Sequence, residues 1–311
     1  MRCLCLVGCH DSITTPSVNK KQECLESQHS SKATSVGFIY VVNTKSIGEL
    51  MRTLHHGTDR IKTALLLAAG TGSRLQPLTE NSPKCLTEVN GTPVLERLVR
   101  GLRAWEFERL VVVVGHLDGC VRDFLDRSGK GLDIQYVRST KYRTTNNIYS
   151  LWTARHTIQE PFLLLECDLV FDEILLGEML ESDRIAVSGI LPWMNGTTVS
   201  LDRSSRVTRF NMGRDQPTGE LPHKTVNMYS FSRSSWQRVT RRLEHYISAG
   251  RVNVYYEAVL AEMVADGDLS FEAVVFDKQR WYEIDTTEDL REAERLFPRI
   301  NGQRMTCAVG P

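Results

Sequence analysis

The chain has 311 residues, of which 41% are hydrophobic and 24% charged, values ordinary for a soluble globular protein. Lys plus Arg equals Asp plus Glu at 38 each, so there is no net basic field of the kind that meets nucleic acid or an anionic membrane. No apolar run approaches the roughly 18 residues a membrane span needs, and the length allows one large α/β domain or two small ones.

Residues 1–60 are rich in Ser, Thr, Lys, Gln and His and show no sustained period. They read as a disordered or loosely packed leader with one short strand, Val36 to Val42, and without the apolar core of a signal peptide. Met51 is an alternative start. Cys3, Cys5 and Cys9 cluster there, but they lack paired C-x-x-C arms and nearby histidines at ligand spacing. The cysteines from Cys85 onward stand singly, as suits a reducing cytosol, so a cytoplasmic location is expected.

From Thr63 the pattern sharpens into a domain spanning 61–298. Thr63 to Ala69 is a continuous apolar run, the mark of a buried parallel strand. Val94 to Trp105 carries Leu95, Leu98, Val99, Leu102 and Trp105 at helical spacing. LVVVVG (Leu110 to Gly115) is a second buried strand, Val121 to Leu125 a short helix, and Leu132 to Val137 an alternating strand. Asn146 to Ile158 reads as a helix, and FLLLE (Phe162 to Glu166) as a third buried strand. Strands alternating with helices predict a mostly parallel sheet with right-handed crossovers.

The second half is mixed. Ile185 to Leu191 is apolar, Thr197 to Phe210 holds a DRSS turn between alternating segments, and Thr225 to Phe231 is a strand. Ser234 or Ser235 can cap a helix running to about Ile247. A helix over Tyr255 to Val264, strands over Phe271 to Phe276 and Trp281 to Asp285, and a last helix from Glu288 to Phe297 capped by Thr286 or Thr287 complete the series. Residues 299–311 read as a flexible tail.

Chemistry concentrates in LLLAAGTGSRLQPLTENSPKCL, Leu65 to Leu86. Gly70 and Gly72 follow a strand, where glycine lets the backbone approach a phosphate. Leu75 stands at the third glycine of a Rossmann fingerprint, and Ser73–Arg74 stands where a P-loop needs Lys-Ser/Thr, so neither motif fits. What remains is G-x-G-x-R-L-x-P-L-T followed by S-P-K, with Arg74 and Lys84 both able to meet phosphate oxygens. The alternative is a tight turn with two solvated cations. No convincing Ser-His-Asp or Cys-His set appears; His116, His156, His223 and His245 lack motif context.

The string AAGTGSRLQPLTENSPKCL resembles the signature of the nucleotidyltransferase superfamily (MobA-like and sugar-nucleotidyltransferase-like). TNNIYSLWTAR (Thr145 to Arg155), VNMYSFS (Val226 to Ser232) and WYEIDTTEDL (Trp281 to Leu290) are similar to the small cytidylyltransferases of the phosphocholine and 2-aminoethylphosphonate type. The resemblance covers Lys62 to Phe297. It implies a Rossmann-like, glycosyltransferase-A-type three-layer α/β/α fold with a mixed, mostly parallel sheet. It implies transfer of a cytidylyl group from CTP to a small phosphate or phosphonate acceptor with release of pyrophosphate. A homodimer is compatible with it.

By resemblance, Arg74 and Lys84 are the catalytic cations, on the phosphates. The nucleotide is expected against Leu67, Ala68, Ala69, Gly70, Thr71, Gly72 and Ser73 and against Thr145, Asn146 and Asn147, within the polar stretch Ser139 to Asn147. Asp168 follows the FLLLE strand and Asp285 precedes a capped helix; by resemblance they hold Mg²⁺. Asp172 is a weaker ligand, and Glu166 has no assigned role. The acceptor is expected among Trp193, Lys224, Asn227, Tyr229, Trp281, Tyr282 and Glu283: the aromatics suit choline, Asn227 and Glu283 suit an ammonium, and Lys224 suits a phosphonate. Two alternatives stay open: a sugar 1-phosphate nucleotidyltransferase using UTP or dTTP, and an inactive nucleotide-binding regulatory homologue.

Overall fold

Strand β1, Thr63–Ala68, is buried along its whole length, as a run of TALLLA sandwiched between two helical layers must be. It belongs to a computed structural model that describes residues 60–190, 194–213, 222–277 and 280–297. The leader up to residue 59, its Cys3, Cys5 and Cys9 cluster and its Val36 to Val42 strand, residue Trp193 and the tail beyond 297 lie outside the described residues.

After β1, a ribbon of β2 (Glu88–Val89) and β3 (Thr92–Pro93) leads into α1 (Val94–Ala104), which buries Leu95, Leu98, Val99 and Leu102 on one face. β4 (Arg109–Val114) runs parallel to β1, with Leu65 opposite Val111. Past α2 (Asp118–Ser128), β5 (Asp133–Arg138) adds parallel to β4. α3 (Asn147–Thr153) precedes β6 (Phe162–Glu166), which pairs parallel with the other edge of β1.

The second half closes the sheet with antiparallel strands. It begins with β7 (Leu169–Phe171) and α4 (Leu175–Glu178), then β8 (Arg184–Gly189), β9 (Thr198–Leu201) and β10 (Val207–Asn211). β11 (His223–Phe231) lies antiparallel to β6, with Tyr229 opposite Leu164. β8 pairs antiparallel with β11 from His223 to Tyr229, and β9 pairs with it at His223 and Lys224. α5 (Arg233–Ser248) and α6 (Glu257–Ala265) follow, then β12 (Glu272–Val275) parallel to β8, β13 (Trp281–Glu283) and α7 (Thr287–Leu296).

Period-2 alternation sorts the strands' side chains between two cores. Leu65, Leu67, Val111, Val113 and Leu164 pack with Ile148, Leu151, Trp236 and Val259 of α3, α5 and α6. Ala64, Leu66, Ala68, Val112 and Val114 pack with Leu95, Leu98, Val121 and Phe124 of α1 and α2. The result is the three-layer α/β/α arrangement with a mixed, mostly parallel sheet that the resemblance implies.

Some local expectations shift. The cap of α5 is Ser232, whose Oγ accepts from Ser235 N at 3.1 Å, in place of Ser234 or Ser235. The helix expected from Tyr255 begins at Glu257, and the one expected to reach Ile158 ends in a 3₁₀ turn at His156. The three-residue β7 carries no sequence period; it exists because β13 pairs with it.

Candidate active site

The loop after β1 turns at Gly72, which has φ 62°. A Cβ there would stand 3.1 Å from Thr79 Cγ2 and 3.2 Å from Lys84 Cβ. Glycine is therefore required both by the left-handed backbone and by the loop folding back on itself. Thr79, almost fully buried, ties the loop by donating from Oγ1 to Gly72 O at 2.8 Å. The return segment delivers Lys84 on a 3₁₀ turn, Lys84–Leu86.

A cleft of about 290 Å³ opens at this edge. Leu67, Ala69, Gly70, Thr71, Gly72, Ser73 and Arg74 form one wall, and Thr145, Asn146 and Asn147 the other. Ala68 does not line it; alternation turns its methyl into the core under α1 and α2. Asn146 is the N-cap of α3, its side chain accepting from Asn147 N at 2.7 Å. Asn147 spends both ends of its amide on the protein: Nδ2 donates to Glu166 Oε1 at 3.3 Å, and Oδ1 accepts from Tyr256 N at 3.0 Å. Tyr142, Ser150 and Tyr255 also line the cleft and carry no sequence signal that singles them out. Gly115, at the end of β4, is a further unassigned position. A Cβ there would meet Ala69 O at 2.7 Å and Tyr142 Cγ at 2.9 Å.

On the floor, Lys84 Nζ donates to Asp168 Oδ2 and to Asp285 Oδ1, both at 2.7 Å. Arg74 Nη2, far more exposed, reaches Asp285 Oδ1 at 2.8 Å. Burial works to lower the Lys84 pKa, but Asp168 and Asp285 outweigh it and hold the ammonium above the ordinary lysine value. The two acids, 117 residues apart in numbering, meet through the β7–β13 pair: Glu283 lies opposite Leu169, and Ile284 N donates to Asp168 O at 3.0 Å. Asp285 is not the helix cap. Thr286 is, in a capping box with Asp289, whose carboxylate also accepts from Asp285 N at 3.1 Å. Asp172 is taken up by Arg280.

Glu283, expected at the acceptor, stands with the metal-type acids. One oxygen each from Asp168, Glu283 and Asp285 lie within 4.8 Å of one another. Asp168 Oδ1 is buried with no hydrogen-bond partner among the described residues. Clustered carboxylate oxygens with one left orphaned fit a hard divalent cation.

A second cleft, of about 280 Å³, shares Arg74 and Asp285 with the first. Lys224, Trp281, Tyr282 and Glu283 line it. Lys224 is buried, donating to Thr225 O at 2.8 Å and standing 3.4 Å from Glu283 Oε2. Asn227 sits at φ 57° in the bulge of β11 and donates from Nδ2 to Glu283 Oε1 at 3.2 Å. A non-glycine residue in that region is strained, and the bulge aims its amide at the site. Tyr229 corrects an expectation. Its ring is fully buried against Tyr256, Phe231 and Phe271, so it presents no face to a ligand and belongs to the core.

Residues 64–201 match the family described as the MobA-like NTP transferase domain. The chain is similar to the CMP-5'-(3-aminopropyl)phosphonate synthase of Streptomyces rubellomurinus, at 31% identity over 254 residues. That match covers 78% of this chain and 40% of that protein, so the chain spans under half the length of this relative. It is also similar to the 2-aminoethylphosphonate cytidylyltransferase of Lancefieldella rimae, 29% identical over 238 residues, covering 75% of this chain and 93% of that protein. Among solved structures it resembles in fold the CTP:phosphocholine cytidylyltransferase of Streptococcus pneumoniae, with a TM-score of 0.64 at 20% identity, covering 76% and 98% of the two chains.

Proposed function

Residues 64–201 being a MobA-like NTP transferase domain, we propose that the protein transfers the cytidylyl group of CTP to a small phosphate or phosphonate acceptor and releases pyrophosphate. The observation that carries this reading is the Lys84 ammonium held between Asp168 and Asp285 where the two clefts meet. One cleft takes the nucleotide and the other the acceptor, so the α-phosphate falls at their junction.

An acceptor oxygen forms a bond to the α-phosphorus, and the bond to the bridging oxygen breaks, its electron pair leaving with pyrophosphate. A phosphate acceptor, with a second pKa of about 6, is largely ionised near neutral pH, so no protein base is required. What the chain supplies is position and charge. The backbone of Gly70 to Ser73 bounds the triphosphate. Arg74, exposed at the cleft mouth, meets the β- and γ-phosphates as charge passes to the leaving group. Lys84 neutralises oxygens at the junction. Asp168 and Asp285, with Glu283 beside them, would hold Mg²⁺, which supplies charge neutralisation on the phosphate oxygens when bound. Asn227 fixes Glu283 by its amide, and Asp289 fixes the backbone of Asp285.

Replacing Asp168 by Asn tests the reading. Pyrophosphate release from CTP is expected to fall by about 1,000-fold, roughly 4 kcal/mol of transition-state stabilisation, with the circular dichroism spectrum unchanged. Near-normal turnover in Asp168→Asn would remove this carboxylate from the chemistry.

A further inference from the structure

One aromatic ring faces two cavities. Tyr142 lines the cleft of about 290 Å³ that holds Gly70 to Arg74. It also lines a neighbouring hollow of about 480 Å³, whose other walls are Thr71, Gln76, Thr79, Glu80, His116 and Arg143. Among the described residues, Thr71 and Tyr142 are the two that face both. Thr71 is short, so the Tyr142 ring is the larger part of the partition.

The ring is firmly seated. Gly115 follows β4 directly, and a Cβ there would meet Tyr142 Cγ at 2.9 Å and Ala69 O at 2.7 Å. Glycine at 115 thus lets the ring rest against the backbone. The turn that carries Tyr142 is held at both ends: Ser139 N donates to Val114 O, and Asn146 N donates to Val252 O, each at 2.8 Å. Inside the turn, Thr144 N and Thr145 Oγ1 donate to Lys141 O at 3.0 and 2.8 Å. Arg143 Nε donates to Tyr142 Oη at 3.1 Å and holds the outer end of the ring. His116 stands beside it, with 6.2 Å between ring centroids.

We propose that the Tyr142 ring closes the base end of the nucleotide site at pyrimidine size and thereby excludes purine triphosphates. This rests on the cytidylyl-transfer reading above. Phosphates occupy the end where Gly70 to Arg74 and Lys84 gather, so the base falls toward the uncharged side chains of Tyr142, Thr145, Asn146 and Ser150. A purine carries a second fused ring, and the space for it lies across the partition. Overlap with a ring seated on backbone is not relieved by a small side-chain shift, so the wall discriminates by repulsion. Without the ring the two cavities become one, and the second ring of a purine gains room. The hydroxyl is taken up by Arg143 and is not required to read the base.

The test measures kcat/KM for CTP, ATP and GTP in the wild type and in Tyr142→Phe, Tyr142→Leu and Tyr142→Ala. The acceptor is whichever of 2-aminoethylphosphonate and phosphocholine the wild type turns over faster. The wild type is expected to favour CTP over either purine by at least about 100-fold. Tyr142→Phe keeps the ring and is expected to keep that ratio. Tyr142→Ala is expected to shrink it at least about tenfold, with the purine values rising in absolute terms, and Tyr142→Leu to fall between. A role in stability alone would lower all three nucleotides together and leave the ratio unmoved. An unmoved ratio in Tyr142→Ala, or in Tyr142→Leu should the alanine variant not fold, would overturn the partition and leave cytidylyl transfer standing, as would equal use of purines by the wild type. Failure of CTP to react with either acceptor in the wild type would overturn the reading beneath it, and the partition with it.

Discussion

At the scale of single residues, the site is a matter of charges held largely out of solvent. Lys84 keeps two carboxylates apart that would otherwise repel each other in a half-closed floor. Lys84→Met leaves that pair uncompensated, and losing one partner of a buried ion pair costs about 3–5 kcal/mol. Urea unfolding at pH 8 without metal should show a loss of this order, and millimolar Mg²⁺ should restore part of it by replacing the missing charge. Loss without any recovery would argue that Asp168 and Asp285 do not share a cation. Glu257 gives the opposite sign. Burial pushes its carboxyl up to about 7, so in the unliganded protein its ionisation opposes folding. This group's penalty is absent below about pH 4.5, grows as pH rises toward 7, and is complete above it. Glu257→Gln should therefore raise the apo melting temperature at pH 8, by a gain on the order of 2 kcal/mol, and change it little at pH 4.5. A gain equal at both pH values would mean that Glu257 is not buried as an acid.

At the scale of elements, positions far apart in the chain are fixed by short devices. The capping box of Thr286 and Asp289 starts α7 and at the same time grips the backbone of Asp285. Thr286→Ala should cost about 1 kcal/mol of stability and weaken Mn²⁺ binding measured by electron paramagnetic resonance; intact Mn²⁺ affinity would separate the cap from the acid. Much of this level is readable in the chain itself. The runs TALLLA, LVVVV and FLLLE announce buried parallel strands, and Gly70 to Lys84 announces the phosphate loop, because both signals are local. The pairing of β7 with β13 is not local. Three residues, LVF, have no period, and their partner lies over 100 residues away. For that reason Glu283 reads as an acceptor residue in the sequence yet stands with Asp168 and Asp285 in space. Tyr229 misleads for a similar reason: an aromatic in a strand looks the same whether it faces a ligand or a core.

At the scale of the molecule, the sheet order places β1 between β4 on one side and β6 on the other. Chain direction through the sheet reverses there, and the loops after β1 and β6 part to leave a crevice at their carboxyl ends, where ligands sit in open α/β sheets. The larger of the two clefts, lined by Gly70 to Arg74, lies in that crevice. The antiparallel second half then brings β11, with Lys224 and Asn227, and β13, with Glu283, to the same edge. The two clefts thus meet at Asp285 and Arg74 because the fold has two halves with different strand directions. The most direct test of cytidylyl transfer is pyrophosphate release from CTP, UTP, dTTP, ATP and GTP, each offered with 2-aminoethylphosphonate, phosphocholine and glucose 1-phosphate in the presence of Mg²⁺. Release from CTP with an aminoalkyl or choline acceptor, and none from UTP or dTTP with glucose 1-phosphate, is the predicted result; a preference for UTP or dTTP with the sugar phosphate would contradict it.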